Sequence, residues 1–268
     1  MLSTKQFQKI ILDYYKKNAR PLPWRKHPTP YSVLVSEIML QQTQADRVTP
    51  KFLTFVKRFP SFRALARAPI ADVLRLWSGL GYNRRALALK KCADVVIKKY
   101  QGKLPDILSQ LEELPGVGPA TARSILVYAF NRPEVFIETN VRAVFIHFFF
   151  PHKKNVTDHK LWPLVEKTLD QHNPRRWYNA LMDYGTMLKK EFKNPAGRSA
   201  HHSRQSRFEG SNRQVRGLIL RLLTRRSCSI TQIAQKINRP SDTVLKNIAA
   251  LSKEGFILIK GNVVRLKQ

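Results

Sequence analysis

Leu111–Phe130 reads "LEELPGVGPATARSILVYAF". Two runs with helical spacing flank a turn of Pro115, Gly116, Val117 and Gly118, and Pro119 opens the second run. A side-chain-poor turn at a helix start leaves backbone N–H groups pointing outward, an arrangement that receives a phosphate. Pro119 falls in a first-turn position, where its missing N–H does no harm. Ile107, Leu108, Leu111 and Leu114 on one run, and Ile125, Leu126 and Phe130 on the other, are expected to pack the two helices together. The same pattern also suits a plain helix–turn–helix connection with no ligand.

The charge balance bears on whose phosphate this would be. The chain has 48 Lys+Arg against 18 Asp+Glu, a net charge of +30. An excess of that size favours a polyanionic partner, with nucleic acid first and an anionic membrane surface second. A merely solubilising basic surface is the alternative. A nucleotide pocket would call for a P-loop or a strand-to-helix glycine fingerprint, and neither is written here. Gly116 and Gly118 therefore read as a grip on a DNA backbone. No charged-then-apolar leader pattern opens the chain, and no apolar run approaches ~20 residues. "AVFIHFFF" (Ala143–Phe150) is short and interrupted by His147. A soluble, intracellular protein of the cytoplasm or nucleoid is expected, without membrane contact. Cys92 and Cys228, the two cysteines, are too few for a four-thiolate site and read as core fillers.

From residue 1 to 190 the chain reads as helices with short Pro/Gly/Asn punctuation, an all-α core. "STKQFQKIILDYYKKNA" begins at a Ser/Thr cap and carries Phe7, Ile10, Ile11 and Tyr14 on one face. Residues 191–212 are small, polar and basic and read as a linker or surface arm. Residues 213–268 read helix, helix, turn, helix and hairpin, a small α+β module resembling a winged helix-turn-helix. In it Ser241 is the expected N-cap, Gly255 the C′ glycine, and Ile257, Ile259, Val263 and Leu266 the alternating hairpin residues around Lys260-Gly261-Asn262. Such modules serve DNA binding or protein interaction.

Two further stretches suggest chemistry. In "VLVSEIMLQQTQ" (Val33–Gln44), Glu37 shares the helical stripe of Val33 and Leu40. A carboxyl on an apolar face is costly when ionised, so its pKa should rise and make it a proton donor near neutrality. A rim glutamate reaching solvent is the alternative. Gln41, Gln42 and Thr43 follow, with side chains able to fill a base stack or bond base edges. In "VFIETNVRAV" (Val135–Val144), Glu138 and Asn140 stand at a loop-to-helix entry. A carboxylate there could stabilise a cationic sugar, or simply cap the helix.

The segments "LPWR", "SEIMLQQTQ", "LWSGLGY", "LPGVGPATA", "ETNVRAV" and "MDYGTM" resemble, in order and spacing, the helix-hairpin-helix (HhH-GPD) DNA glycosylases. "LPWR" and "MLQQTQ" are most similar to the MutY-type adenine DNA glycosylases, which remove adenine opposite 8-oxoguanine. The resemblance spans roughly residues 22–188. It implies that Glu37 is the catalytic acid/base, protonating the purine and later assisting attack of water. Glu138 stands where the family has an aspartate that stabilises the oxocarbenium-like sugar, and Asn140 matches its neighbour. The extra methylene at position 138 displaces the carboxylate by roughly 1.5 Å. Trp24 and Arg25 match the pocket for the extruded base, with Ala120 and Thr121 beside them. Gln42 and Tyr82 match side chains that enter the emptied stack, and Gly116, Val117 and Gly118 the phosphate hairpin. A base inside a duplex has to be flipped out before it can be cleaved.

The departures are informative too. Ala120 stands where bifunctional relatives have a Schiff-base lysine, so base hydrolysis without strong β-lyase action is expected. The family's iron–sulfur cysteines are missing after "MDYGTM", which excludes a four-thiolate cluster in this chain. Lys189, Lys190, Lys193, Arg198, Arg204 and Arg207 occupy that region and read as direct phosphate contacts. His201-His202 reads as solvated. Neither a metal nor a cofactor is expected, although hairpin carbonyls could coordinate a monovalent cation. The winged-helix-like module takes the place of the Nudix-like domain that ends the adenine branch. The expected function is monofunctional excision of mispaired adenine by a monomer on double-stranded DNA. A thymine or uracil mismatch glycosylase, or a non-catalytic DNA-binding protein on the same scaffold, is the alternative.

Overall fold

The computed structural model of the chain describes residues 2–192, 194–202 and 207–267. Its helices are α1 (Thr4–Asn18), α2 (Pro23–Lys26), α3 (Pro30–Leu40), α4 (Ala45–Arg58), α5 (Phe62–Arg67), α6 (Ile70–Trp77) and α7 (Arg84–Tyr100). They continue with α8 (Leu108–Glu112), α9 (Pro119–Phe130), α10 (Thr139–Phe149), α11 (Asp158–Thr168) and α12 (Pro174–Glu191). After a 3-10 turn at Pro195–Arg198 come α13 (Asn212–Leu223), β1 (Cys228–Ser229), α14 (Ile230–Ile237), α15 (Ser241–Lys253), β2 (Ile257–Lys260) and β3 (Val263–Leu266). The chain is thus an all-α core followed by a small α+β module.

Local chemistry sets these boundaries. Ser3 accepts from the Gln6 amide while the Gln6 side chain accepts from the Ser3 amide, closing a capping box before α1, worth about 1 kcal/mol. Pro119 and Pro174 occupy first-turn positions of α9 and α12, where a fixed φ favours the helix.

Contacts divide the described chain into two units. The first comprises residues 1–37, 106–113 and 117–204. Its core is aromatic: Phe7 meets Phe145 at 5.2 Å and Trp177 at 5.8 Å between ring centroids, both edge-on. The apolar run Ala143–Ile146 is wholly buried on α10, which packs against α12. Gly185 permits that approach, because a Cβ there would lie 2.6 Å from the Asn140 carbonyl oxygen. Part of the expected linker is structured. Ser199 bridges to Val156, and the Arg198 guanidinium donates to the carbonyls of Phe150 (2.9 Å), Pro151 and Ile146. Arg198 therefore closes the C-terminus of α10, where the helix dipole favours a cation, and this corrects its reading as a phosphate contact.

The second unit comprises residues 38–105, 114–116 and 205–268. It joins α4–α7 to the C-terminal module, whose strands lie in the order β1-β3-β2. Arg75 donates to the Thr224 carbonyl (3.3 Å), and Arg84 pairs with Glu254 (2.5 Å). The strand β1 had no sequence signal at two residues. The wing register differs from expectation: a two-residue Gly261-Asn262 turn pairs Lys260 with Val263, so Val264 is buried and Ile259 and Val263 are exposed. Ser241 is the first residue of α15, after an N-cap at Pro240, whereas Gly255 takes the expected left-handed position (φ 82°).

The helix before the hairpin is shorter than its periodicity suggests, spanning only Leu108–Glu112. Ile107 is consequently an extended N-cap residue and is half exposed instead of packed. Among the described residues, no helix is long and apolar enough to cross a membrane.

Candidate active site

Glu37 lies near the end of α3 among Val33, Leu34, Val35, Ile38 and Met39, all buried. Its side chain is enclosed yet retains a partly accessible edge. Burial pushes its carboxyl up to about 7, and the Glu138 carboxylate acts in the same direction, while Ser124 and the Arg25 charge oppose them. Such a group holds its proton near neutrality, as a general acid requires.

Ser124 on α9 was not singled out by the sequence. Its Oγ donates to Glu37 Oε2 at 2.6 Å and also lies 2.9 Å from the Thr121 carbonyl oxygen. A hydroxyl has one hydrogen, so the two contacts alternate. With Glu37 ionised, Ser124 donates to the carboxylate. With Glu37 protonated, Glu37 donates to Ser124 and the hydroxyl turns to Thr121. The serine thus serves either protonation state, and Thr121 enters the site through its backbone.

Glu138 is the N-cap of α10. Its Oε1 accepts from the amides of Asn140 (2.6 Å) and Val141 (3.1 Å), and Oε2 accepts from Asn140 Nδ2 (3.3 Å). The longer side chain curls back onto its own helix, so capping and electrostatic influence on Glu37 reside in one group. Asn140 Oδ1 is buried and has no hydrogen-bond donor among the described residues.

Trp24 is buried on α2. The neighbouring Arg25 donates to Asp183 through Nη1 (2.8 Å) and Nη2 (3.1 Å), and Arg20 donates to the same carboxylate through Nε (2.5 Å) and its amide (2.9 Å). Asp183, with its side chain 1% exposed, orients both guanidiniums. The sequence signal for it was present in "MDYGTM": a lone acid among apolar helix residues, as at Glu37. Lys189 is half-buried one helical turn beyond Gly185. Burial lowers its pKa, with Arg20 adding to the effect and Glu138 opposing it.

In the second unit, Arg85 organises two turns. Its guanidinium donates to the carbonyls of Ile38, Met39, Gln41, Leu80 and Gly81 and to Thr43 Oγ1, at 2.5–3.2 Å. Burial lowers its pKa to about 10, which still leaves it charged. The two turns carry Gln42 and Tyr82, both in left-handed backbone (φ 54° and 47°). Gln42 is exposed and Tyr82 half-exposed. Gln41 donates to the Gly116 carbonyl (3.1 Å) and Thr43 to the Gln41 carbonyl (3.2 Å). Those two residues therefore brace the turns.

The hairpin glycines differ from each other. Gly116 is left-handed (φ 82°), and a Cβ there would lie 2.8 Å from Ala88 Cβ. Gly118 has no neighbour within 4 Å of such a Cβ, so the protein interior does not demand glycine. It is the N-cap of α9 and offers no side chain to the first-turn amides, while the Val117 side chain is buried. Ala120 is exposed in that turn. Lys190 and Arg207 are exposed, and Arg204, like Lys193, lies outside the described residues. Cys92 and Cys228 are buried on α7 and β1, and burial raises the Cys92 thiol to about 12. No group of three or more His, Cys, Asp or Glu among the described residues is arranged to hold a metal.

A glycine hairpin opens α9, and that helix holds the enclosed acid Glu37 through Ser124. Residues 35–167 match the HhH-GPD superfamily of base excision DNA repair proteins, and this part of the chain belongs to that superfamily. The chain is 37% identical over 186 residues to an adenine DNA glycosylase of Buchnera aphidicola subsp. Acyrthosiphon pisum (strain APS), covering 68% of this chain and 53% of that protein. An adenine DNA glycosylase of Mycobacterium tuberculosis (strain CDC 1551 / Oshkosh) is 44% identical over 135 residues, half of this chain and 44% of that protein. The chain spans about half the length of these curated relatives. Among solved structures, a thermostable thymine-DNA glycosylase superposes with a TM-score of 0.63 at 27% identity, covering 72% of this chain and 90% of that one.

Proposed function

We propose that the protein is a monofunctional DNA glycosylase of base excision repair that hydrolyses the N-glycosidic bond of an extruded adenine, mispaired with guanine or 8-oxoguanine. The observation that carries this reading is Glu37, proton-bearing near neutrality and hydrogen-bonded to Ser124. In this reading Glu37 gives its proton to the purine ring, and the base departs neutral as the C1′–N bond breaks. The sugar is left as an oxocarbenium-like cation, and the Glu138 carboxylate stabilises that charge. Asn140 Oδ1, which has no hydrogen-bond donor among the described residues, accepts from the attacking water. That water loses its proton to the now ionised Glu37, and an abasic site remains. The exposed α9 first turn and the basic surface hold the phosphodiester backbone, while Gln42 and Tyr82 enter the stack the base has left.

Identity with the adenine glycosylases favours adenine. The superposition on a thymine-DNA glycosylase supports the second reading, a mismatch enzyme acting on thymine or uracil. Incubation with duplexes bearing A opposite G, A opposite 8-oxoguanine, T opposite G and U opposite G, followed by alkali, separates the two. Scission at A is expected. Scission confined to T or U would replace adenine as the substrate, and no scission at any would remove the enzymatic reading.

A further inference from the structure

Tyr82 occupies a left-handed conformation (φ 47°) that is rare for an aromatic residue and persists only where its surroundings hold it. Two guanidiniums meet its ring within the second unit. Arg85 lies 5.6 Å from the ring centroid and Arg213 lies 5.1 Å from it. Arg213 also donates to Tyr82 Oη at 2.6 Å. Arg85 belongs to the same stretch of chain as the tyrosine, but Arg213 comes from the first turn of α13, 131 residues away. A second link lies two residues beyond Tyr82. Arg84 Nη2 donates to Glu254 Oε1 (2.5 Å), and Glu254 also accepts from Arg216 at 2.9 and 2.5 Å. Arg216 follows Arg213 by three residues and so stands one turn further along α13.

We propose that the C-terminal winged-helix-like module is a positioning element for Tyr82, with Arg213 holding the phenol in the geometry in which it meets mispaired DNA and the Arg84–Glu254–Arg216 cluster anchoring the module to the same turn. The proposal rests on the reading of Tyr82 as a side chain that enters the base stack. A ring already held in one orientation loses little freedom on insertion, so the contact raises affinity by pre-organisation. Arg213 is a positioning residue here, acting through Tyr82.

The test is a double-mutant cycle on binding. Full-length Glu37→Gln protein keeps the duplex intact, and into it Arg213→Ala, Tyr82→Ala and both changes are introduced. Affinity is measured by fluorescence anisotropy for a duplex with A opposite G and for a fully paired duplex. Arg213→Ala is expected to weaken mispair binding about tenfold, with less than about a twofold effect on the paired duplex, and to add nothing once Tyr82 is alanine. Additive losses, or equal losses on both duplexes, would make Arg213 a direct phosphate contact and overturn the proposal. Unchanged or tighter mispair binding overturns it as well. Arg213→Lys retains the charge without the planar fork; its expected intermediate affinity provides the same decision if the alanine variant does not fold. A wild-type protein that cleaves no mispair, combined with a non-additive cycle, would refute the glycosylase reading and leave the positioning role standing.

Discussion

Replacing Ser124 with alanine removes one oxygen, the donor 2.6 Å from Glu37 Oε2. Alanine suits the interior of α9, so the helix itself should survive. What changes is the balance at Glu37. Burial raises that carboxyl to about 7, and the serine hydrogen bond is the largest influence pulling the other way. A hydrogen bond to a charged group contributes about 1.5–3 kcal/mol, equivalent to roughly one to two pH units at about 1.4 kcal/mol each. Relaxation of the site reduces that, so about one unit is the expected change. Glu138 and Arg25 remain in place, and Glu37 holds its proton to higher pH. If Glu37 acts as the acid, the wild-type cleavage rate falls as pH rises through about 7, and in Ser124→Ala that fall begins about one unit higher. Single-turnover cleavage of a duplex with A opposite 8-oxoguanine, followed from pH 5 to 10, reads the midpoint directly. An unmoved midpoint, or one displaced toward acid, would refute the coupling of Ser124 to the proton on Glu37.

Four other substitutions follow from the same geometry. In Glu37→Gln the cost of burying a charge disappears. The folded wild type prefers the protonated acid, so its stability declines as pH rises from about 4.5 through about 7. The variant should match wild type at pH 4 and exceed it by up to about 3 kcal/mol at pH 8 in urea unfolding, while losing cleavage. Asp183→Asn leaves Arg20 and Arg25 without their buried counter-charge, and a loss of about 3–5 kcal/mol is expected by denaturant melts. Gly116→Ala should lower thermal stability through a strained φ and the Ala88 contact, at roughly 1–2 kcal/mol. Gly118→Ala should melt within about 0.5 kcal/mol of wild type yet bind duplex DNA several-fold more weakly. Equal melting losses in the two glycine variants would contradict the distinction.

What the sequence made legible was whatever depends on local pattern. The hairpin follows from glycines placed before a proline-led helix, and Glu37 stands out because a carboxyl interrupts an apolar stripe. Asp183 bears the same mark and could have been found by the same rule. Ser124 could not. An isolated serine in "TARSILVYAF" is unremarkable until α9 is seen to pass beside Glu37, and that contact spans 87 residues. Arg198 misled for a related reason. In a run of cations nothing local tells which one turns inward, and three carbonyls at the end of α10 decide it. Ile107 was misplaced because periodicity marks an apolar face but does not show where the helix begins. The tie between Tyr82 and Arg213 is longer still, and it joins stretches that composition alone would separate.

Arg85 imposes a constraint on how such a protein can change. Six oxygens from two turns converge on one guanidinium, so neither turn can drift without disturbing the other. Natural variation that remodels the loop around Gln42 would have to be matched by compensating change near Tyr82, and the two should evolve as a single inherited unit.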